Sequence, residues 1–131
     1  MLHSFTFTDG SAPFADLIFD ANGNLYGTTQ DGGAYRYGTV FKLTPNGGAG
    51  WTETVLNSFD GAGGAGPTAG LIPDSAGNLY STTEQGGVRY GGGCGVVFQL
   101  SPSADGSWKE KVLRKFTQNG TAGLPIAGGD F

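Results

Sequence analysis

The segment GNLYGTT at residues 23–29 recurs as GNLYSTT at residues 77–83, a shift of 54 positions along the chain. In both copies a Gly-Asn pair precedes aromatic and β-branched residues, which is typical of a strand that leaves a tight turn. The match continues on both sides, so that residues 13–59 align with residues 67–116 in one ordered register. The chain therefore contains two copies of one structural unit, and the length of that unit indicates the fold.

Each copy is predicted to form four short strands. They cover residues 15–20, 24–29, 38–44 and 51–59 in the first copy, and residues 69–74, 78–83, 95–101 and 108–116 in the second. Four strands in a repeat of about 50 residues match the blade of a β-propeller, so the predicted fold is all-β. Large aromatic side chains are expected to fill the gap between blades, which predicts mostly buried positions for Phe41, Phe98, Trp51 and Trp108.

The repeat alignment also divides the chain into parts. Residues 1–12 correspond to the outer strand of a preceding blade, and the rest divides into a first blade at 13–66, a second at 67–124 and the opening of a further blade at 125–131. The chain is therefore expected to be cut from a longer array. Two blades cannot close a ring and leave apolar faces uncovered, which predicts a homo-oligomer. Three copies with six blades are favoured, and two or four copies are the alternatives.

Composition and charge exclude several classes of protein. Gly supplies 26 of the 131 residues but does not recur at every third position, so the chain is not collagen-like. A formal charge of −4 with only 7 Lys and Arg disfavours a nucleic-acid partner. No apolar run is long enough to cross a membrane, and the first residues do not resemble a signal peptide. The single Cys excludes an internal disulfide.

Two segments of the repeat carry a family resemblance. GNLYGTT at residues 23–29 together with GTVFKLTP at residues 38–45 is similar to the GloVer repeat of bacterial secreted or surface-anchored proteins. A more distant similarity connects the strand that ends in Asp before Gly-Asn-Leu-Tyr to NHL-type blades. The resemblance implies a propeller with an extracellular or cell-surface location. It implies no established activity.

Long glycine-rich segments are expected to gather on one face of the propeller, namely 30–37, 60–66, 84–94 and 117–124. Such loops are where a propeller commonly binds its ligand. Aromatic rings stack on sugars or other small molecules, and Arg pairs with carboxylates, so the predicted binding residues are Tyr35, Arg36, Tyr37, Arg89 and Tyr90. The alternative is that these side chains only cover the blade ends. The expected function is an oligomeric binding or structural module.

A second hypothesis is a metal-dependent hydrolase of the lactonase, esterase or phosphotriesterase type, with its active site in the propeller channel. Asp31 and Glu84 are the predicted ligands of a divalent cation such as calcium, which prefers carboxylate oxygens. This hypothesis depends on a fold-level analogy with six-bladed hydrolases. Asp20 and Asp74 are expected instead to cap their own turns. His3 is expected at the surface with no metal role, and no base is placed beside Cys94.

Overall fold

Two four-stranded antiparallel sheets, one for each copy of the repeat, make up the structure, a computed structural model that describes residues 2–48, 50–88 and 93–116. The first sheet contains β1 (Ile18–Phe19), β2 (Leu25–Thr29), β3 (Thr39–Pro45) and β4 (Trp51–Ser58). The second contains β5 (Ile72–Pro73), β6 (Leu79–Thr82), β7 (Val96–Pro102) and β8 (Trp108–Lys115). In each sheet the strands lie side by side in chain order. The prediction of an all-β chain with four strands in each repeat is confirmed.

The innermost strands, β1 and β5, are shorter than predicted, with 2 residues each. Side-chain contacts replace the missing ladder. In the second sheet the Ser81 hydroxyl donates to the carbonyl oxygen of Gly70 at 2.8 Å, before β5 begins. In the first sheet the equivalent position is Gly27, where an added Cβ would lie 2.7 Å from atoms of both Leu17 and Phe41. Gly27 therefore makes room for the Leu17 side chain to pack against the sheet.

Side chains alternate between the two faces of each sheet, and we name the faces by their residues in the second strand. The leucine face carries Leu25, Phe41 and Leu43 in the first sheet and Leu79, Phe98 and Leu100 in the second. The tyrosine face carries Tyr26, Val40 and Lys42 in the first sheet and Tyr80, Val97 and Gln99 in the second.

The main core lies between the sheets, where the tyrosine face of the first packs on the leucine face of the second. Its buried side chains include Tyr26, Val40, Leu79, Phe98 and Leu100. A smaller core lies on the leucine face of the first sheet, where Phe5 packs against Phe41 with ring centroids 5.0 Å apart. The N-terminal segment thus covers part of a face that has no second sheet against it among the described residues.

Large aromatic side chains divide between core and margin. Phe41 is 2% exposed and Phe98 is fully buried, as expected. Trp51 and Trp108 are also mostly buried, as expected, but they lie at the margins of the cores against which they pack. Each is the first residue of an outer strand and pairs with the Pro that ends the preceding strand, where the sheet stops and solvent begins.

Candidate functional site

The long loops lie next to the segments that enter each repeat. Ser11 and Asp31 exchange backbone hydrogen bonds of 2.8 and 3.1 Å, and Ala65 and Gln85 do the same in the second copy at 2.8 and 3.0 Å. The Gly66 amide also donates to the Tyr37 carbonyl oxygen at 2.8 Å. Backbone pairing therefore holds these loops together at one end of the sheets.

The predicted binding residues do not share one environment. Tyr35 is 57% exposed and Arg36 is also exposed, whereas Tyr37 is half-buried and packs against the main core. Arg36 has a backbone φ of 70°, which is costly for a residue with a Cβ. Tyr35 and Arg36 are thus available to a ligand, while Tyr37 supports the fold. Arg89 and Tyr90 lie outside the described residues.

The predicted metal ligands Asp31 and Glu84 are both exposed. Within the described residues neither one joins a group of three side chains that could hold a metal ion. The hydrolase hypothesis, with these carboxylates in a propeller channel, therefore stays a prediction.

Asp20 and Asp74 cap their turns, as expected. Oδ1 of Asp20 accepts the amides of Asn22 and Asn24 at 2.8 and 3.0 Å, and Oδ2 accepts the Asn24 side-chain amide and the Tyr26 hydroxyl, both at 2.8 Å. Asp74 makes the equivalent four bonds. Both carboxylates have their acceptor sites filled, so neither is a free ligand.

The hydrogen bonds in these turns shift the pKa values of the groups that make them. Burial raises the pKa of Asp20, but the hydrogen bonds from Asn24, Tyr26 and Asn22 outweigh it and lower the pKa to about 2. The Asn78 side chain and backbone, with Tyr80, lower the pKa of Asp74 to about 2. Burial and the bond to Asp20 raise the pKa of Tyr26 to about 12. Each Asp therefore stays ionised and each turn stays closed at neutral pH.

A cavity of about 460 Å³ opens between the two sheets at the end opposite the long loops. Its lining includes the aromatic side chains of Phe19, Tyr26 and Trp108 and the turn residues Asp20 and Asp74. This cavity forms between the two stacked sheets, beside their short turns. The turns alone gave no sign of it in the sequence, because a local pattern does not report how two sheets stack.

A cluster missed by sequence reasoning lies beside the N-terminal segment. His3 Nε2 is 2.8 Å from Asp9 Oδ2, and Glu53 on β4 supplies a third side chain, with one potential ligand atom from each within 4.8 Å of the others. The side chains of His3 and Asp9 are each 21% exposed. The expectation that His3 is a plain surface residue is therefore wrong. It lies near Glu53, which is fifty positions later in the sequence, and local patterns do not report such proximity.

Charges in this cluster influence one another. Burial raises the pKa of Glu53 and the Asp9 charge raises it further, while His3 acts in the opposite direction. Burial also raises the pKa of Asp9, but hydrogen bonds from Thr6 and His3 outweigh it, so the net shift is downward. Oε2 of Glu53 is buried and accepts no hydrogen bond from the described residues.

A related carboxylate pair without a histidine lies beside the outer strand of the second sheet. Burial raises the pKa of Glu110 to about 7, and the nearby Asp60 charge adds to the shift. In the repeat alignment Asn57 corresponds to His3, and Gly63 corresponds to Asp9. The Asp60 carboxylate accepts the Gly63 amide at 2.8 Å, so the acidic group comes from the other end of the same turn.

Comparison with known proteins gives one match. The model of the Gloeobacter/Verrucomicrobia repeat matches residues 1–128. No curated protein and no solved structure matches the chain. Among the described residues there is no helix of the length and apolarity that a membrane span needs. The likeness to NHL-type blades stays a prediction. Since the match covers both copies of the repeat, the chain belongs to the Gloeobacter/Verrucomicrobia repeat family.

Proposed function

We propose that this chain is an oligomeric β-propeller module with a structural and ligand-binding function, in which each sheet is one blade and copies join head to tail. Blades of residues 13–66 and 67–124 would stack the tyrosine face of one on the leucine face of the next. The observation that carries the proposal is that the tyrosine face is covered in the first sheet and open in the second, although the two sheets present equivalent residues there.

On the tyrosine face, the first sheet is the covered one. Tyr26 is 7% exposed and Val40 is fully buried against the second sheet, whereas their counterparts Tyr80 and Val97 are only half-buried. At the end of the outer strand, Leu56 is 8% exposed and its counterpart Leu113 is 44% exposed. The tyrosine face of the second sheet therefore presents the apolar surface that the first sheet buries.

On the leucine face most equivalent residues are buried in both sheets, because the N-terminal segment covers Phe41 as the first sheet covers Phe98, and the difference is confined to the innermost position. Leu71 of the second sheet is 4% exposed because the first sheet covers it, and its counterpart Leu17 is 47% exposed. Within the described residues, the tyrosine face of the second sheet is thus open, and the leucine face of the first sheet is covered only by the N-terminal segment and leaves Leu17 exposed. These are the same two kinds of surface that already pack inside the chain. Surfaces of this kind join copies head to tail and close into a ring when the rotation allows. Three copies would give six blades, within the usual range for propellers.

The loop end supplies the binding surface in this proposal. Tyr35 offers an exposed ring and Arg36 an exposed guanidinium on a backbone with positive φ, a combination that suits a small molecule or carbohydrate. Holding such a residue in a costly conformation is a frequent mark of a functional position. An extracellular or cell-surface location, implied by the resemblance of the repeat, belongs to the same proposal.

Light scattering after size exclusion tests the assembly. The expected mass is three times 13.4 kDa. Leu113→Asp should release monomers, because it places a charge on the open tyrosine face, whereas Val88→Asp, at a loop residue that is 50% exposed, should leave the assembly intact. A folded wild-type monomer at micromolar concentration, judged by circular dichroism, would contradict the proposal.

A glycan and metabolite screen tests the binding surface separately. Arg36→Ala and Tyr35→Ala should weaken binding of any hit without changing the mass of the assembly. Binding that survives both substitutions would place the ligand elsewhere, and Trp108→Phe would then test the cavity between the sheets.

A further inference from the structure

We propose that His3, Asp9 and Glu53 form a binding site for a divalent transition metal of the zinc class. The site is built from three parts of the chain: the N-terminal segment, the turn that follows it, and the outer strand β4. It lies apart from the exposed loop carboxylates Asp31 and Glu84. It does not depend on the proposed ring, because all three side chains belong to one chain.

The donor set selects the metal. One imidazole nitrogen and two carboxylate oxygens suit Zn²⁺, Co²⁺ or Mn²⁺, whereas calcium takes oxygen ligands and has little use for imidazole. Three protein ligands leave further coordination positions to water, the arrangement of zinc sites that remain open to solvent. The partial exposure of His3 and Asp9, 21% each, gives the ion a path to the site.

Neighbouring groups already hold the ligands in place. The Thr6 amide donates to Oδ1 of Asp9 at 2.8 Å, and the Thr6 hydroxyl donates to the same oxygen at 3.2 Å. These bonds fix the carboxylate so that Oδ2 faces His3 at 2.8 Å. The ring of His3 rests edge-on against Phe5 with centroids 4.7 Å apart, which fixes its orientation. Such supporting contacts are typical of metal ligands.

A hydrogen bond between His3 and Asp9 does not account for the whole cluster. Oε2 of Glu53 is buried beside them with no hydrogen-bond partner among the described residues, a costly state for a carboxylate oxygen. Oε2 of Glu110 is in the same state, so the imidazole of His3 is what distinguishes this cluster from the one in the second sheet. Oε2 of Glu53 could coordinate a cation, and the positive charge of the cation would offset the repulsion between the carboxylates of Glu53 and Asp9. On binding, Nε2 of His3 would give up its hydrogen bond to Asp9, and its lone pair would face the metal with the proton on Nδ1.

The equivalent cluster beside the second sheet is a built-in control. Glu110 lies near Asp60 as Glu53 lies near Asp9, but Asn57 replaces the histidine. Asn offers no imidazole nitrogen, so metal binding of the zinc class is expected at the first pair and not at the second.

Cobalt absorption and zinc calorimetry test the site, with tag-free protein in a Cys94→Ser background, because Cys94 is the only thiol in the chain. The wild type should bind one equivalent of Zn²⁺, and Co²⁺ should give a visible absorption band that Zn²⁺ removes. His3→Asn and Glu53→Gln should each weaken binding by at least about tenfold. Asn57→Ala and Glu110→Gln should leave it unchanged.

His3→Asn introduces the residue that the chain already carries at the equivalent position, Asn57, so the variant is expected to fold. A circular dichroism spectrum equal to that of the wild type checks this point. The proposal is overturned if the wild type shows no saturable binding, if binding persists in His3→Asn, or if Glu110→Gln weakens it as much as Glu53→Gln does.

Discussion

The ring of Phe59 stands edge-on to the ring of Phe98, with centroids 5.0 Å apart and planes inclined by 69°. Phe59 follows the outer strand of the first sheet and Phe98 lies in the middle of the second, so this contact connects the two repeats. Phe5 and Phe41 repeat it at 5.0 Å and 67° on the other side of the first sheet. The N-terminal segment therefore takes the place that the end of a preceding outer strand would occupy.

Truncation of Phe59 is expected to be strongly destabilising. Phe59 is 1% exposed, so Phe59→Ala should remove about 3–5 kcal/mol from the free energy of unfolding through lost burial and a cavity. Urea denaturation at a fixed protein concentration measures this, since assembly would couple to folding. Phe14→Ala, at a side chain that is 70% exposed, is the control and should cost under about 1 kcal/mol. Equal losses in the two variants would contradict the packing described here.

Stability should fall at acid pH through the capped turns. The pKa of Asp20 is about 2 in the folded chain and 3.8 without these contacts, so its contribution is complete above about pH 4 and disappears as pH falls toward 2. Asp20→Asn should therefore flatten the profile of unfolding free energy between pH 5 and pH 2. Unfolding curves at half-unit intervals measure the slope, and a slope unchanged by the substitution would show that the turn does not contribute.

Glu110 should produce the opposite slope at higher pH. Its pKa is about 7 in the folded chain and 4.5 otherwise, so the folded state holds a proton that the unfolded state releases. Stability should fall as pH rises from about 4.5 to about 7, and Glu110→Gln should remove that decline. Asp60→Asn removes the neighbouring charge and should make the decline smaller. A wild-type profile that is flat across this range would contradict the assignment.

Backbone strain at Arg36 can be separated from the role of its side chain. At φ 70° a Cβ is costly, so Arg36→Gly should be more stable than Arg36→Ala by about 1 kcal/mol. Thermal denaturation of the two variants measures the difference. Tyr35 does not have a positive φ, so Tyr35→Ala should be more stable than Tyr35→Gly. If Arg36→Ala is the more stable variant, the positive φ is not strained.

Sequence alone determined the repeat, the all-β class and the position of nearly every strand. These follow from alternation and turn chemistry within a few residues, as in the Asp20 turn, where each partner lies at most six positions away. The same reasoning overestimated β1 and β5, because next to each of them side-chain contacts of Leu17 and Ser81 take the place of ladder hydrogen bonds.

Tertiary structure alone decided which of two nearly identical repeats is buried and where charged groups meet. Tyr26 and Tyr80 stand in the same local sequence, yet only Tyr26 is covered, because burial depends on the sheet stacked against it. His3 and Glu53 come together for the same reason: the N-terminal segment packs on the leucine face beside β4. Contacts between distant segments depend on how faces stack, and a local pattern of residues carries no record of that stacking.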